Sequence, residues 1–377
     1  MIVTIDQEIN GNPAALSFDR AVDELRRGRA VHVTDGARGL VVAAIETLQA
    51  QLFARLVAAG NGRAVMLVTA ERAHAAALSR RLSGAVAVAF PPETDLESLR
   101  TLAGVDGIAP VDDAAFDVDP SPRSPPLAAA AFQLAKAGRL VPALIGFDND
   151  GAAVPGVVTI AVRDVVHQAP RFGHHALQLL SRARVPLAEA VECEIAVFRD
   201  EHSLAEHVAV VIGQPDAANA VPVRLHSACL TGDLLGSLRC DCGEQLRTAV
   251  ARIEALGGGV LLYLDQEGRG IGLPNKLRAY VLQDGGLDTV DADQHLGFLA
   301  DERSYDVAAA LLTELGYKRI RLLTNNPQKI NSLRDHGIEV VGRLPLVTTS
   351  NRHNERYLRA KHERAGHLDL AEKSGGG

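Results

Sequence analysis

The chain has 377 residues, 47% hydrophobic and 23% charged, with a formal charge of −7. At roughly 150 residues per domain this length accommodates two domains, and the composition is that of a globular enzyme with material for two cores. The acidic balance excludes non-specific nucleic-acid binding, which needs a basic face, and no apolar run approaches the roughly 18 residues that span a bilayer.

The opening MIVTIDQEINGNP lacks the basic and apolar segments of a secretion signal, so the cytoplasm is the expected compartment. A helix is predicted over 17–27, N-capped by Ser17, with Phe18, Val22 and Leu25 on one face. AVHVT follows as a strand, then a helix-like stretch over 41–57. AVMLVT reads as a buried strand and AERAHAAALSRRL as the next helix. The proline-rich, acidic stretch 90–126 reads as loops. GVVTIAV is predicted as a strand and HHALQLLSRA as a helix, with the domain boundary near Val185.

The second half opens with the strands CEIAVFRD and HVAVVIG, then VPVRLHSAC. Leu246, Val250, Ile253 and Leu256 keep helical spacing ahead of the apolar strand VLLYL. A glycine loop leads to a helix over 275–283, and YDVAAALLTELG is an amphipathic helix stopped by Gly316. RIRLLT, NPQKINSLRDHG and IEVVGRL form a strand–helix–strand unit, and KSGGG is a disordered tail.

Cys229, Cys240 and Cys242 stand in a C-x10-C-x-C array. Three thiolates so spaced suit one zinc ion with an open fourth position, where water is activated for catalysis. A structural zinc with a remote fourth ligand, or plain buried thiols, share the pattern. Few cysteines clustered this way fit a reducing compartment, and Cys193 reads as structural.

Further motifs follow: RLHSACLTGD with Arg224 and His226, LRCDCGEQ with Gln245, DQEGRGIGLPNKLRAY with Glu267, Arg269 and Tyr280, LGFLADERSY with Asp301 and Arg303, and LLTNNPQK with Thr324 and Lys329. Singly, each has a plain reading. Glu267 and Arg269 are solvated loop charges, Asp301 and Arg303 a weak surface pair, and Tyr280 a core residue. His226 is a ligand, a partner of one, or packing. Together, a soft-ligand metal, several arginines and a lysine at a helix N-terminus imply a phosphorylated substrate attacked by metal-bound hydroxide. No G-x-x-x-x-G-K-[ST] loop is present, NKLR lacks the aspartate of a G-protein base motif, and the zinc-deaminase pattern is missing.

The segment 193–368 resembles GTP cyclohydrolase II, through HSACLTGDLLGSLRCDCG, QEGRGIGLPNKLRAY, GFLADERSY and RLLTNNPQK in order. The resemblance implies conversion of GTP to 2,5-diamino-6-(5-phosphoribosylamino)pyrimidin-4(3H)-one, formate and pyrophosphate, in riboflavin biosynthesis. It implies zinc on Cys229, Cys240 and Cys242, with magnesium on the triphosphate. Tyr280 would assist formate release, Arg303 would be the nucleophile or electrostatic clamp at the α-phosphate, and Asp301 its proton acceptor. Arg224, Leu225, His226, Ser227, Ala228, Gln245, Glu267, Gly268, Arg269, Thr289, Thr324 and Lys329 would contact GTP. A homodimer is implied, with no nucleic-acid or membrane partner. Ala228 departs from the family, whose best-known members carry glutamate there.

RAVDELRRGRAVHVTD and RFGHHALQLLSRA resemble 3,4-dihydroxy-2-butanone 4-phosphate synthase. The expected acidic run after VHVTD is replaced by GARGLVVAA, and His174-His175-Ala176 stands where a threonine–glutamate pair is expected. Alanine and valine cannot bind magnesium or move protons, so a degenerate domain is expected over 1–184, ahead of a catalytic domain over 185–372 and a tail over 373–377. The fold expected is α/β, with α+β parts and a mixed sheet with packed helices in each domain. Two other readings share part of this pattern, an enzyme keeping both activities and a zinc-stabilised nucleotide-binding regulator. The lost acidic run counts against the first, and retention of Tyr280, Asp301, Arg303 and all three cysteines against the second.

Overall fold

The computed structural model describes residues 12–80, 83–106, 116–119, 124–168, 177–200, 205–346, 348–349 and 351–354. It holds two seven-stranded sheets with packed helices, a mixed α/β architecture. Two compact units result: Met1–Phe172 with Pro274–Glu302, and Gly173–Leu273 with Arg303–Gly377.

In the first unit, α1 (Pro13–Arg26) starts a turn earlier than the sequence implied. Asn12 caps it by accepting from Ala14 N–H, and Pro13 at its first position needs no donor partner. Strand β1 (Val31–Thr34) pairs antiparallel with β2 (Gly39–Ala44), so the helix expected from residue 41 is instead a strand. Its GLVVAA run is buried at every position, and such a run has no periodicity that separates a central strand from a buried helix. Helix α2 (Ala50–Gly60) follows, then β3 (Val65–Thr69) and the short α3 (Ala70–Ala75).

Strand β4 (Ala85–Ala89) leads into the stretch read as loops, which contains α4 (Leu96–Ala103) and β5 (Asp117–Asp119). Asp95 N-caps α4 through Ser98 N–H, and Glu97 favours its first turn. Next come α5 (Pro125–Ala137), β6 (Ala143–Asn149), β7 (Val158–Ala161) and α6 (Val162–Gln168). The strand order is β5-β4-β3-β6-β2-β1-β7, with β1 and β7 the parallel pair.

Helices cover both faces of this sheet. Leu40 and Val42 pack with Phe18, Leu25 and the Leu127–Leu134 side of α5. Val41 and Ala43 point the other way, toward Leu56, Leu99 and Leu102. Each such fully buried aliphatic side chain contributes about 1.5–3 kcal/mol.

The second unit begins with β8 (Leu177–Arg184), a strand where the sequence implied a helix. Pairing with β9 (Cys193–Asp200) overrides the helical propensity of LQLLSRAR, with a bulge between Leu179 and Ser181. His174, His175 and Ala176, and the KSGGG tail, lie outside the described residues. Strand β10 (Glu206–Ile212), β11 (Val221–Ser227), α7 (Cys242–Ala255) and β12 (Gly259–Leu264) follow. The chain then forms α8 (Leu273–Asp284) and α9 (Thr289–His295), which belong almost wholly to the first unit. It ends with α10 (Asp306–Glu314), β13 (Arg319–Leu323), α11 (Pro327–Asp335) and β14 (Glu339–Leu344).

The second sheet has the order β14-β13-β11-β12-β10-β9-β8. Its β14, β13, β11 and β12 are parallel neighbours, and β10, β9 and β8 run antiparallel. Leu311, Leu312 and Leu333 cover one face, and Ala249, Val250 and Ile253 of α7 the other. The parallel half places the C-terminal ends of β11, β12 and β13 side by side, which is where open α/β sheets hold ligands.

Candidate metal centre and substrate site

Three cysteine sulfurs meet just past the end of β11. The ligand atoms of Cys229, Cys240 and Cys242 all lie within 4.8 Å of one another. Tetrahedral bonds of about 2.3 Å put two thiolates ~3.8 Å apart, so this donor set fits a soft divalent ion. The Cys229 and Cys240 sulfurs stand 3.8 Å apart. Cys229 pushes the Cys240 thiol up, because two adjacent sulfurs resist becoming thiolates together unless a cation joins them. Cys242 begins α7, where the helix dipole favours a thiolate.

Glycine makes this turn possible. A Cβ on Gly232 would lie 2.7 Å from the Cys240 sulfur and 3.0 Å from that of Cys229. The Gly232 N–H instead donates to the Cys229 sulfur at 3.3 Å.

A polar network fixes the first cysteine. Asp233 accepts from Cys229 N–H at 2.9 Å, from the Tyr263 hydroxyl at 3.0 Å, and lies 3.1 Å from His226 Nε2. The His226 ring stacks on Tyr263 with centroids 5.5 Å apart. Burial pulls the His226 pKa down against the pull of Asp233, which leaves a neutral ring donating from Nε2. His226 is therefore a partner of the cysteine loop. The sequence gives no separate role to Asp233, in the π-helical turn Leu230–Leu234 after Cys229, or to Tyr263, inside an apolar strand.

The buried cations gather along β11. Arg224 donates from Nη1 to Leu323 O at 2.9 Å and from Nη2 to Gln245 Oε1. Burial lowers its pKa to about 10, still fully protonated near neutrality. Gln245 is oriented in turn by Asp241. Lys329, in the first turn of α11, donates to Leu225 O at 3.0 Å, and its ammonium lies 5.3 Å from the Tyr305 ring centroid. Arg303 lies 5.5 Å from the same ring centroid and reaches Ser227 Oγ at 3.4 Å. Thr324 is buried, its hydroxyl accepting from Asn326 N–H, and Asn326 caps α11.

Glu267 is buried, with one oxygen accepting from Leu230 N–H at 2.6 Å and the other from Gly268 N–H at 2.9 Å. Gly268 and Arg269 both have positive φ, 62° and 61°. Left-handed geometry at an arginine is uncommon, and it marks a tightly determined loop. Ala228 donates its N–H to Leu264 O at 2.8 Å.

Tyr280, Thr289 and Asp301 belong to the first unit. Tyr280 is half-buried on α8, with the Lys276 ammonium 5.8 Å from its ring centroid. Thr289 opens α9 next to its cap, Asp288, which accepts from Val290 and Asp291 N–H.

Three cysteine sulfurs that could hold a metal ion, beside a strand end with buried cations, are the arrangement of a metal-binding hydrolase class. The family model for GTP cyclohydrolase II matches residues 178–345. A GTP cyclohydrolase-2 of Azospirillum brasilense is 44% identical over 372 residues, 94% of each chain. One from Xylella fastidiosa strain Temecula1 is 40% identical over 365 residues, 96% of this chain and 89% of that one. One from Shewanella amazonensis is 53% identical over 171 residues, 45% of this chain and 83% of that one. A two-domain 3,4-dihydroxy-2-butanone 4-phosphate synthase from A. baumannii aligns over 88% of this chain at 15% identity and a TM-score of 0.30, too slight a likeness to argue from. The chain belongs to the GTP cyclohydrolase II family, the hydrolases of riboflavin biosynthesis. Among the described residues, no helix is long and apolar enough to cross a membrane.

Proposed function

We propose that this protein hydrolyses GTP to 2,5-diamino-6-(5-phosphoribosylamino)pyrimidin-4(3H)-one, formate and pyrophosphate, with zinc on Cys229, Cys240 and Cys242. The observation that carries the reading is the cluster of three sulfurs within 4.8 Å, in a chain 44% identical to a named GTP cyclohydrolase-2. When bound there, zinc supplies a Lewis acid that lowers the pKa of water toward about 7. Three soft donors select zinc over magnesium, which prefers the triphosphate oxygens.

The residue roles are those the family resemblance implies. Arg224 and Lys329 keep buried positive charge on backbone carbonyls, and an anionic substrate offsets its desolvation. Arg303 engages the α-phosphate. Its guanidinium lies over the Tyr305 ring, which supports a cationic clamp, since its delocalised charge keeps a guanidinium protonated. With Arg303 as a clamp, water attacks the α-phosphate, Asp301 takes up the proton of that water as pyrophosphate leaves, and Tyr280 assists formate release. Leu225, His226, Ser227, Ala228, Gln245, Glu267, Gly268, Arg269, Thr289 and Thr324 complete the GTP contacts.

The N-terminal half is read as a degenerate 3,4-dihydroxy-2-butanone 4-phosphate synthase-like domain. In support, the one acid after β1, Asp35, accepts from Ala37 and Arg38 N–H and so serves the β1–β2 turn. No butanone phosphate is expected from ribulose 5-phosphate. A homodimer in the cytoplasm completes the reading, with light scattering as the check on assembly.

The test is formate and pyrophosphate release from GTP with magnesium, for the purified protein beside C240S. Equal release of both products, lost in the variant with its zinc, is the expected result. Release of neither product from zinc-loaded protein would overturn the reading.

A further inference from the structure

Residues 274–302 are far from the N-terminal half in sequence yet pack within the same unit. Tyr280, Thr289 and Asp301 all lie in this segment, so what holds it bears on the reaction.

Among the described residues several polar joints hold it, three of them through charged side chains of the N-terminal half, while Asn275 also donates to Arg139 O at 2.9 Å. At the first, Lys136 at the end of α5 bonds Glu302 at 2.5 Å, and its ammonium lies 5.9 Å from the ring centroid of buried Phe298. Glu302 also accepts from Leu299 N–H at 2.8 Å, which folds the chain back on itself just beside Asp301. At the second, Arg72 is a buried cation bonded to carbonyls. It donates to Leu102 O at 2.8 Å and His295 O at 2.9 Å, which places one guanidinium at the C-terminal ends of α4 and α9. Cations there are favoured by both helix dipoles. The Thr69 hydroxyl donates to Gly297 O at 2.9 Å, and Gly297 adopts φ +84° where a Cβ would meet that hydroxyl at 3.0 Å. At the third, Arg278 on α8 donates to Glu46 at 2.8 Å.

We propose that the N-terminal half, through helices α3 and α5 and the turn after β2, serves the GTP reaction as the mount for residues 274–302. Lys136, Arg72 and Glu46 are positioning residues that act through Glu302, α9 and Arg278 on Asp301, Thr289 and Tyr280. This rests on the cyclohydrolase reading above. It assigns the N-terminal half a task that needs none of the carboxylates it has lost, since the joints use helix ends, one lysine, one buried arginine and Glu46 after β2.

The test uses the full chain, with K136M, K136R, E302Q, K136M/E302Q and R72M. GTP turnover and metal content are measured, with hydrogen–deuterium exchange over 288–302. Loss of a joint should lower kcat about tenfold or more, since small misplacements of reacting groups are that costly. The GTP KM should stay within about threefold, as ground-state contacts are kept. Metal content should hold, the 288–302 peptide should exchange faster, and K136R should recover most of kcat. The double variant should fall no further than K136M, because both changes break one contact. Unchanged kcat and exchange in K136M and R72M, or equal loss in K136R, would overturn the proposal. A wild-type protein that releases no formate defeats the cyclohydrolase reading instead. Exchange over 288–302 then still decides whether Lys136 and Arg72 hold the segment.

Discussion

The Asp233 carboxylate accepts the backbone N–H of Cys229 at 2.9 Å, so an acid outside the thiolate set fixes where the first sulfur stands. The same carboxylate takes the Tyr263 hydroxyl and faces His226, which ties β11, β12 and the cysteine loop together.

The variant D233N keeps the shape of the side chain and loses its charge. Its amide nitrogen cannot accept, so one of the bonds to Cys229, Tyr263 or His226 fails. Outer partners of metal ligands are worth about 10–100-fold in metal affinity, and a loss of that size is expected in zinc competition against a chelator. Native affinity in D233N would show that the loop is held by its backbone alone.

The variant G232A places a methyl group where the sulfurs converge, 2.7 Å from Cys240 Sγ and 2.9 Å from Cys242 Cβ. Contacts so short force the cysteine turn apart. We expect purified G232A to contain little zinc and release little formate while the unfolding of the N-terminal unit is unchanged. Metal analysis with circular dichroism checks both halves of the statement.

At position 228 the backbone is held by Leu264 O, and the side chain is free to vary without disturbing that bond. A228E restores the family's carboxylate. It should alter the GTP KM by about 2–10-fold with kcat within about threefold, as for a contact made equally in ground and transition states. Steady-state kinetics with identical constants for both proteins would show the position to be idle.

Stability should depend on acid through His295. Burial, aided by the Arg72 guanidinium, pulls its pKa from 6.5 to about 4. Above 6.5 the ring is neutral in folded and unfolded chains alike. Below that the unfolded chain takes up the proton first, so the contribution to stability shrinks as pH falls toward about 4 and then levels. Urea unfolding across this window should show a shallower acid loss in H295N than in the native chain. Parallel curves would refute the assignment.

Much of the second unit was legible because its signals are local. The β13–α11–β14 unit follows from apolar runs bounded by Asn326, Pro327 and Gly337, and its strands are indeed parallel. The first unit was harder. Helix α5 buries alanines at 128, 130, 131 and 135, whose small side chains lie close on a sheet but carry little amphipathic contrast. Strand β8 has helix-forming residues and becomes a strand only because β9 supplies its hydrogen bonds. Asp233 closes the RLHSACLTGD motif but Tyr263 carries no motif, and they meet because the turn after β11 folds over its neighbour β12.

By itself the sequence determined the cysteine triplet, the cationic motifs and the family they resemble, because ligand spacing and side-chain chemistry are written in the chain. Only the tertiary structure decided that α8 and α9 belong with the N-terminal half. The bonds responsible join Arg72 to His295, Lys136 to Glu302 and Glu46 to Arg278, pairs separated by 223, 166 and 232 residues. No local pattern encodes such pairs. They form because burying one guanidinium or ammonium demands acceptors, and the fold brings helix ends and carboxylates to meet it.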